Sequence, residues 1–182
     1  MSESAPRSPE THTEFRDLQL SCVEKYVGFV VLFSIGYLTP VLVTSELWWW
    51  KLPTIFDEFI ALFVGVTASL YAHESAHYIA YEQLGFEPEF IWPRMVMAPD
   101  QITDMYEKVT TFLSPQILTL LYLVLLVLPI SPVIEATVAW MFLINLSGGV
   151  SDILWSIHWF FWPEGTIAMT ASDKTGYVAF PK

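Results

Sequence analysis

Basic side chains are scarce in this chain. Lys and Arg total 8 against 19 Asp and Glu, giving a formal net charge of −11 over 182 residues. Nucleic-acid binding needs a basic footprint, so no nucleic-acid partner is expected. Cysteine is scarcer still. Cys22 stands alone, which rules out an intrachain disulfide framework, and it is expected to pack just ahead of the first helix. The N-terminal residues lack the basic stretch followed by an apolar one that marks a signal peptide. Residues 1–25 are Ser-, Pro-, Thr- and acid-rich, and are expected to form a disordered acidic cytoplasmic tail. An acidic surface with little Lys suits a high-salt cytoplasm such as that of halophilic archaea; an acidic tail on an ordinary protein gives the same count. No internal repeat is visible.

What the chain has in plenty is apolar surface. Hydrophobic residues make up 54%, above the roughly 45–50% of soluble domains. A membrane span needs about 20 mainly apolar residues, and four stretches qualify: residues 26–44, 56 to beyond 77, 115–130 and 134–162. The expected fold is therefore an all-α membrane protein, a bundle of about four transmembrane helices over residues 26–162, with a short C-terminal segment over 163–182. Trp48, Trp49 and Trp50, and the aromatic run at 159–162, fit interfacial belts. The only long connection covers residues 85–114. Its first part, 86–97, mixes aromatic and β-prone residues with prolines and predicts short extended segments. Its second part, 100–113, is amphipathic and predicts an interfacial helix with Asp100, Asp104 and Glu107 on a solvated face.

Orientation follows the basic residues near the span ends. Arg7, Arg16 and Lys25 precede the first span, Arg94 and Lys108 lie in the long connection, and Lys174 and Lys182 follow the last span. The two other connections contribute only Lys51. Four spans in a prokaryotic cell membrane, with both termini and the long connection cytoplasmic, satisfy this asymmetry.

Inside the second apolar stretch stands His73-Glu74-Ser75-Ala76-His77. On a helix, positions i and i+4 share a face, so both imidazoles can address one metal ion, with Glu74 beside them as general base. Ionisable residues within a membrane segment read as functional. A zinc site needs at least a third protein ligand. Asp152, in the fourth stretch, follows Asn145-Leu146-Ser147-Gly148-Gly149, whose small residues allow a neighbouring helix to approach closely. His73 lies about 18 residues beyond the start of its stretch and Asp152 about 18 beyond the start of its own, so both fall roughly 27 Å deep from the same side. Glu82 and His158 point off the ligand faces, Gln83 stands where a metzincin-type third His would be, and His12 lies in the tail. Asn145, seven residues before Asp152 on the same face, is a candidate hydrogen-bonder to the site or its substrate. A polar helix–helix contact among His73, His77 and Asp152 without metal remains the alternative.

This pattern resembles the site-2 protease group of intramembrane metalloproteases. It is most similar to small bacterial and archaeal membrane proteins described as zincin-type peptidases. The likeness covers about residues 56–178 and rests on HESAH followed by Gly85, on Ser114-Pro115, on the Asn145 to Asp152 stretch, and on Asp173-Lys174-Thr175-Gly176-Tyr177. It implies His73, His77 and Asp152 as zinc ligands, Glu74 as catalytic base and Asn145 beside the site. The chain departs from the Asn-Pro and Leu-Asp-Gly segment of the better-known members: here Ser151-Asp152-Ile153 stands, with the glycines before the Asp. The expected activity is zinc-dependent hydrolysis of peptide bonds in membrane proteins or peptides, with residues 86–97 holding the unwound substrate by strand addition. A non-catalytic zinc-binding membrane protein and a metal-free scaffold are the other readings. The oligomeric state is not specified by the sequence.

Overall fold

The structure, a computed structural model, describes residues 8–91, 95–172 and 175–182. Arg7, residues 92–94 (with Arg94), Asp173 and Lys174 bear on the expectations above and lie outside the described residues, as does the side chain of Trp49. Strand β1 covers Arg16–Asp17. Helix α1 follows at Cys22–Thr44, then a 3-10 turn at Trp48–Lys51 and the long helix α2 at Ile55–Gln83. Strands β2 (Glu89–Ile91), β3 (Met95–Met97) and β4 (Ile102–Asp104) lead into α3 (Met105–Leu113) and α4 (Gln116–Leu126). Helices α5 (Pro132–Gly148) and α6 (Val150–Phe161) precede the final strands β5 (Ile167–Thr170) and β6 (Gly176–Ala179).

Among the described residues three helical stretches are long and apolar enough to cross a membrane: Cys22–Thr44, Ile55–Gln83 and Met105–Leu126. The pair α5–α6, bent by 46°, makes a fourth if counted as one span. Local chemistry sets where they begin. Ser21 and Glu24 form a reciprocal capping box at the start of α1, Thr54 caps α2, and Asp104 and Glu107 form a second capping box at α3. Asp104 and Glu107, expected merely to face solvent, thus start a helix.

Helix α5 is the centre of the bundle and packs against α1, α2 and α4, while α3 lies on α6. The approach of α2 to α5 is close at Gly65, where a Cβ would stand 2.7 Å from Trp140 Cβ and 2.9 Å from the Thr137 carbonyl oxygen. Ala61, Ala136 and Ala139 keep the same seam narrow, and Trp48, Tyr122, Leu126 and Phe142 fill the space around it. Large apolar side chains such as Leu42, Phe63 and Leu120 face outward. That is the arrangement a bilayer accepts and water does not.

The architecture corrects several expectations. It is not all-α: a four-stranded antiparallel sheet runs in the order β1-β6-β5-β4, beside the hairpin β2-β3. Residues 8–25 are not a free tail. Arg16 and Asp17 pair with Val178 and Tyr177, Phe15 is buried against Tyr177, and His12 Nε2 bonds the Gly165 carbonyl oxygen at 2.8 Å. Each strand is too short to announce itself, and the sheet exists only because distant segments meet. Cys22 opens α1 with its side chain exposed instead of packed. Of the interfacial helix expected over 100–113, Ile102–Asp104 is a strand and only Met105–Leu113 is helical; it forms the first half of the third candidate span, because α4 alone, with 11 residues, reaches only about 17 Å. Trp48 and Trp159 are fully buried rather than belt residues: Trp48 sits between Tyr37 and Trp140, and Trp159 lies against Trp162.

The pairing of β1 with β6 and of β4 with β5 brings both chain ends and the long connection to one end of the bundle. The opposite end is closed by Lys51 Nζ on Glu135 Oε1 at 2.8 Å.

Candidate metal centre

Helix α2 carries His73 and His77 one turn apart, both buried, their rings 4.9 Å between centroids and nearly perpendicular. Opposite them, α5 ends at Gly148, and α6 starts at Val150 with Asp152 in its first turn, where a carboxylate suits the helix dipole. Gly149 sits at the bend because a Cβ there would lie 2.6 Å from Gln116 Nε2 and 3.3 Å from His73 Cε1. The bend turns Asp152 toward α2. Its Oδ2 stands 3.1 Å from His73 Nε2 and 3.4 Å from His77 Nε2. These three donor atoms all lie within 4.8 Å of one another.

The far side of each ring fixes its tautomer. His77 Nδ1 is 2.8 Å from the Thr111 carbonyl oxygen, which can only accept, so Nδ1 carries the proton. His73 Nδ1 is 3.1 Å from Asn145 Oδ1. The Asn145 amide is itself oriented, because its Nδ2 donates to the Pro115 carbonyl oxygen at 2.9 Å and to Thr119 Oγ1 at 2.7 Å. His73 Nδ1 must therefore donate too. In the neutral imidazoles both Nε2 atoms then present lone pairs to a carboxylate oxygen. Three acceptors converging in a buried, apolar setting require a proton or a cation among them.

The donor set fits a metal. Zinc with donors at 2.0–2.2 Å and tetrahedral angles needs them about 3.4 Å apart, close to the 3.1 and 3.4 Å from Asp152 Oδ2 to the two imidazoles, which themselves lie within 4.8 Å of each other. Three protein ligands leave an open position, as catalytic zinc sites do.

Pro115 explains the acceptor for His77. Lacking an N–H, proline cannot bond the carbonyl four residues earlier, which is that of Thr111. The freed oxygen accepts from His77 Nδ1 and from Ser114 Oγ, each at 2.8 Å. One Ser-Pro step thereby orients both rings, one through Thr111 and the other through its own carbonyl and Asn145.

A cavity of about 450 Å³ opens beside the three donors and is lined by Glu74, Val96, Lys108 and Trp155 among others. Glu74 Oε2 accepts from the Val96 backbone N–H at 3.0 Å, which ties β3 to the candidate base. Among the described residues Oε1 has no hydrogen-bond partner.

All five residues singled out from the sequence meet here. His73, His77 and Asp152 converge, Asn145 lies directly behind His73, and Glu74 lines the adjoining cavity. The rejected candidates lie elsewhere: Glu82 and Gln83 are exposed, and His158 pairs with Glu24 Oε1 at 3.1 Å. Sequence reasoning missed Thr111, Thr119 and Lys108. Thr111 contributes a backbone carbonyl, which carries no residue signature. Pro115 was visible as a helix opener, but its effect on Thr111 follows only from the fold. Comparison with protein-family models, curated proteins and solved structures finds no match to this chain.

Proposed function

We propose that this protein is a zinc-dependent peptidase embedded in a prokaryotic cell membrane, of the site-2 protease type, hydrolysing peptide bonds of membrane proteins or peptides. The observation that carries this reading is the outward donation by both Nδ1 atoms, which turns two imidazole lone pairs onto one carboxylate beside a cavity containing a further carboxylate. His73, His77 and Asp152 would hold the ion. Bound zinc supplies a water of lowered pKa and polarises the substrate carbonyl.

The chain's own residues do the rest. Glu74 takes the proton of the attacking water on its carboxylate and passes it to the leaving amine. The Val96 N–H on Oε2 keeps that carboxylate aimed while Oε1 is available. Among the described residues strand β3 pairs with β2 alone, and the Val96 N–H points from its other side to Glu74 Oε2 on α2. With that N–H on Glu74, the Val96 carbonyl on the same edge is the backbone group that can accept from an unwound substrate, a partner that lipid cannot supply. Both termini and the long connection occupy the cytoplasmic side in this reading, on the Lys/Arg asymmetry.

Metal analysis of detergent-purified protein is expected to give one zinc per chain. Glu74→Gln should keep that zinc and lose proteolysis, by about 10²–10⁴-fold, the usual worth of a general base. Substoichiometric zinc after supplementation would sink the metal site, and wild-type cleavage by Glu74→Gln would remove the base. Retained zinc together with a function that survives Glu74→Gln would favour a sensor. Topology is checked with single cysteines at Ser8, Asp100 and Ser172 in a Cys22→Ser background. Labelling of any of them from outside intact cells contradicts the orientation.

A further inference from the structure

Lys108 is a buried cation that the chemistry above does not use. Only 4% of it is exposed. Its Nζ donates to Tyr81 Oη at 3.2 Å and stands 5.8 and 5.1 Å from the ring centres of Tyr81 and Phe112. Among the described residues, no carboxylate lies within ion-pair distance of it. Burying an ammonium against a phenol hydroxyl and two ring faces is costly, and among the described residues two of its three N–H groups have no hydrogen-bond acceptor. It lines the same cavity as Glu74, His77 and Asp152.

Its place relative to the metal centre is set by two helices. On α2, Tyr81 follows His77 by one turn. On α3, Lys108 precedes Thr111 by one turn, and the Thr111 hydroxyl bonds the Lys108 carbonyl oxygen at 2.9 Å. The helices therefore present two rungs: His77 on Thr111, and Tyr81 on Lys108. The second rung lies about one helical turn, roughly 5.4 Å, beyond the first. An extended peptide covers that distance in one to two residues at about 3.3–3.6 Å each. Strand β3 borders the same space; the Val96 N–H is held by Glu74, and its carbonyl, on the same edge, favours a peptide over a lipid as the occupant, since only a peptide brings an N–H to it.

We propose that Lys108 is an anion-binding specificity residue of this cavity, holding a carboxylate of the peptide substrate one or two residues from the bond cleaved. The carboxylate is either the chain's C-terminus or an acidic side chain. This rests on the peptidase reading above.

The test uses the full-length, zinc-loaded Glu74→Gln protein in detergent, so that binding is read without turnover. Three probes are titrated: acetyl-tetraalanine with a free C-terminus, its C-terminal amide, and an amidated peptide of the same length ending in Asp. The free acid, the Asp amide or both should bind at least tenfold more tightly than the neutral amide; which one does identifies the source of the carboxylate. Adding Lys108→Met should abolish the preference while zinc content stays at one per chain, and Lys108→Arg should retain part of it. Equal binding of all three probes needs no further variant and overturns the proposal. A preference that survives Lys108→Met also overturns it. Lys108-dependent binding of phosphatidylglycerol with no preference among the peptides overturns it in favour of a lipid phosphate site. The two readings fail separately. Zinc-dependent cleavage by the protein with Glu74 intact, with no charge preference, leaves the peptidase and removes the Lys108 assignment. A Lys108-dependent preference with no cleavage product removes the peptidase and leaves Lys108 as a carboxylate-binding residue only.

Discussion

The two walls of the centre are built in opposite ways. One wall is α2, 29 residues without a break, which places His73, Glu74 and His77 by helical periodicity alone. The other wall is made of helices that break where they meet it: α3 gives way to α4 at Ser114-Pro115, and α5 bends into α6 at Gly149. In the proposed reaction the unbroken helix would supply two ligands and the base. The broken ones supply what a continuous helix cannot, a Thr111 carbonyl released from its helical donor, a Pro115 carbonyl that takes Asn145 as a second donor and a carboxylate turned inward at Asp152. Backbone groups inside a helix are already hydrogen-bonded, so a membrane-embedded site that needs backbone acceptors must interrupt helices to obtain them.

The contrast can be broken at its strongest points first. Removing one ligand from each wall, His77→Ala or Asp152→Ala, should weaken zinc binding by more than about 100-fold, beyond the range seen for residues that only orient ligands. Competition against a chelator measures it. Full zinc occupancy in Asp152→Ala would show that the broken wall contributes no ligand.

A smaller effect is expected from mending a break. Pro115→Ala restores an N–H that can bond the Thr111 carbonyl and compete with His77 Nδ1. Zinc affinity should fall about 10–100-fold with the ligands untouched. Asn145→Ala should act similarly through His73, since it removes the acceptor of that ring's Nδ1 proton. Unchanged affinity in both variants would mean that the imidazoles need no orienting partner.

The smallest effect on the metal should come from the region packed away from it. Gly65→Ala forces a methyl to within 2.7 Å of Trp140 Cβ on α5, so it should cost about 1–3 kcal/mol of stability. Zinc affinity should stay within about twofold, because α2 and α5 must part there without moving His73. Thermal unfolding in detergent, set beside the zinc titration, separates the two quantities. A parallel loss of zinc would couple the helix seam to the centre.

The same division decides what could be read from the sequence. Periodicity and apolar length set the helices, the placement of His73, Glu74 and His77 on one of them, and the depth at which Asp152 could join. Each of these depends on residues close together in the chain and on a bilayer thickness that is fixed in advance. Tertiary structure alone decided the rest. The sheet joining β1, β6, β5 and β4 needs segments more than 150 residues apart to pair, as Arg16 does with Val178. Thr111 serves His77 through a backbone oxygen that every residue type has. Lys108, which in the sequence is one more basic residue near a span end, becomes a buried ammonium beside the candidate centre only when α3 packs under Tyr81 of α2. Local periodicity specifies which side chains share a helix face; only the packing of distant helices specifies which backbone atoms and charges meet them.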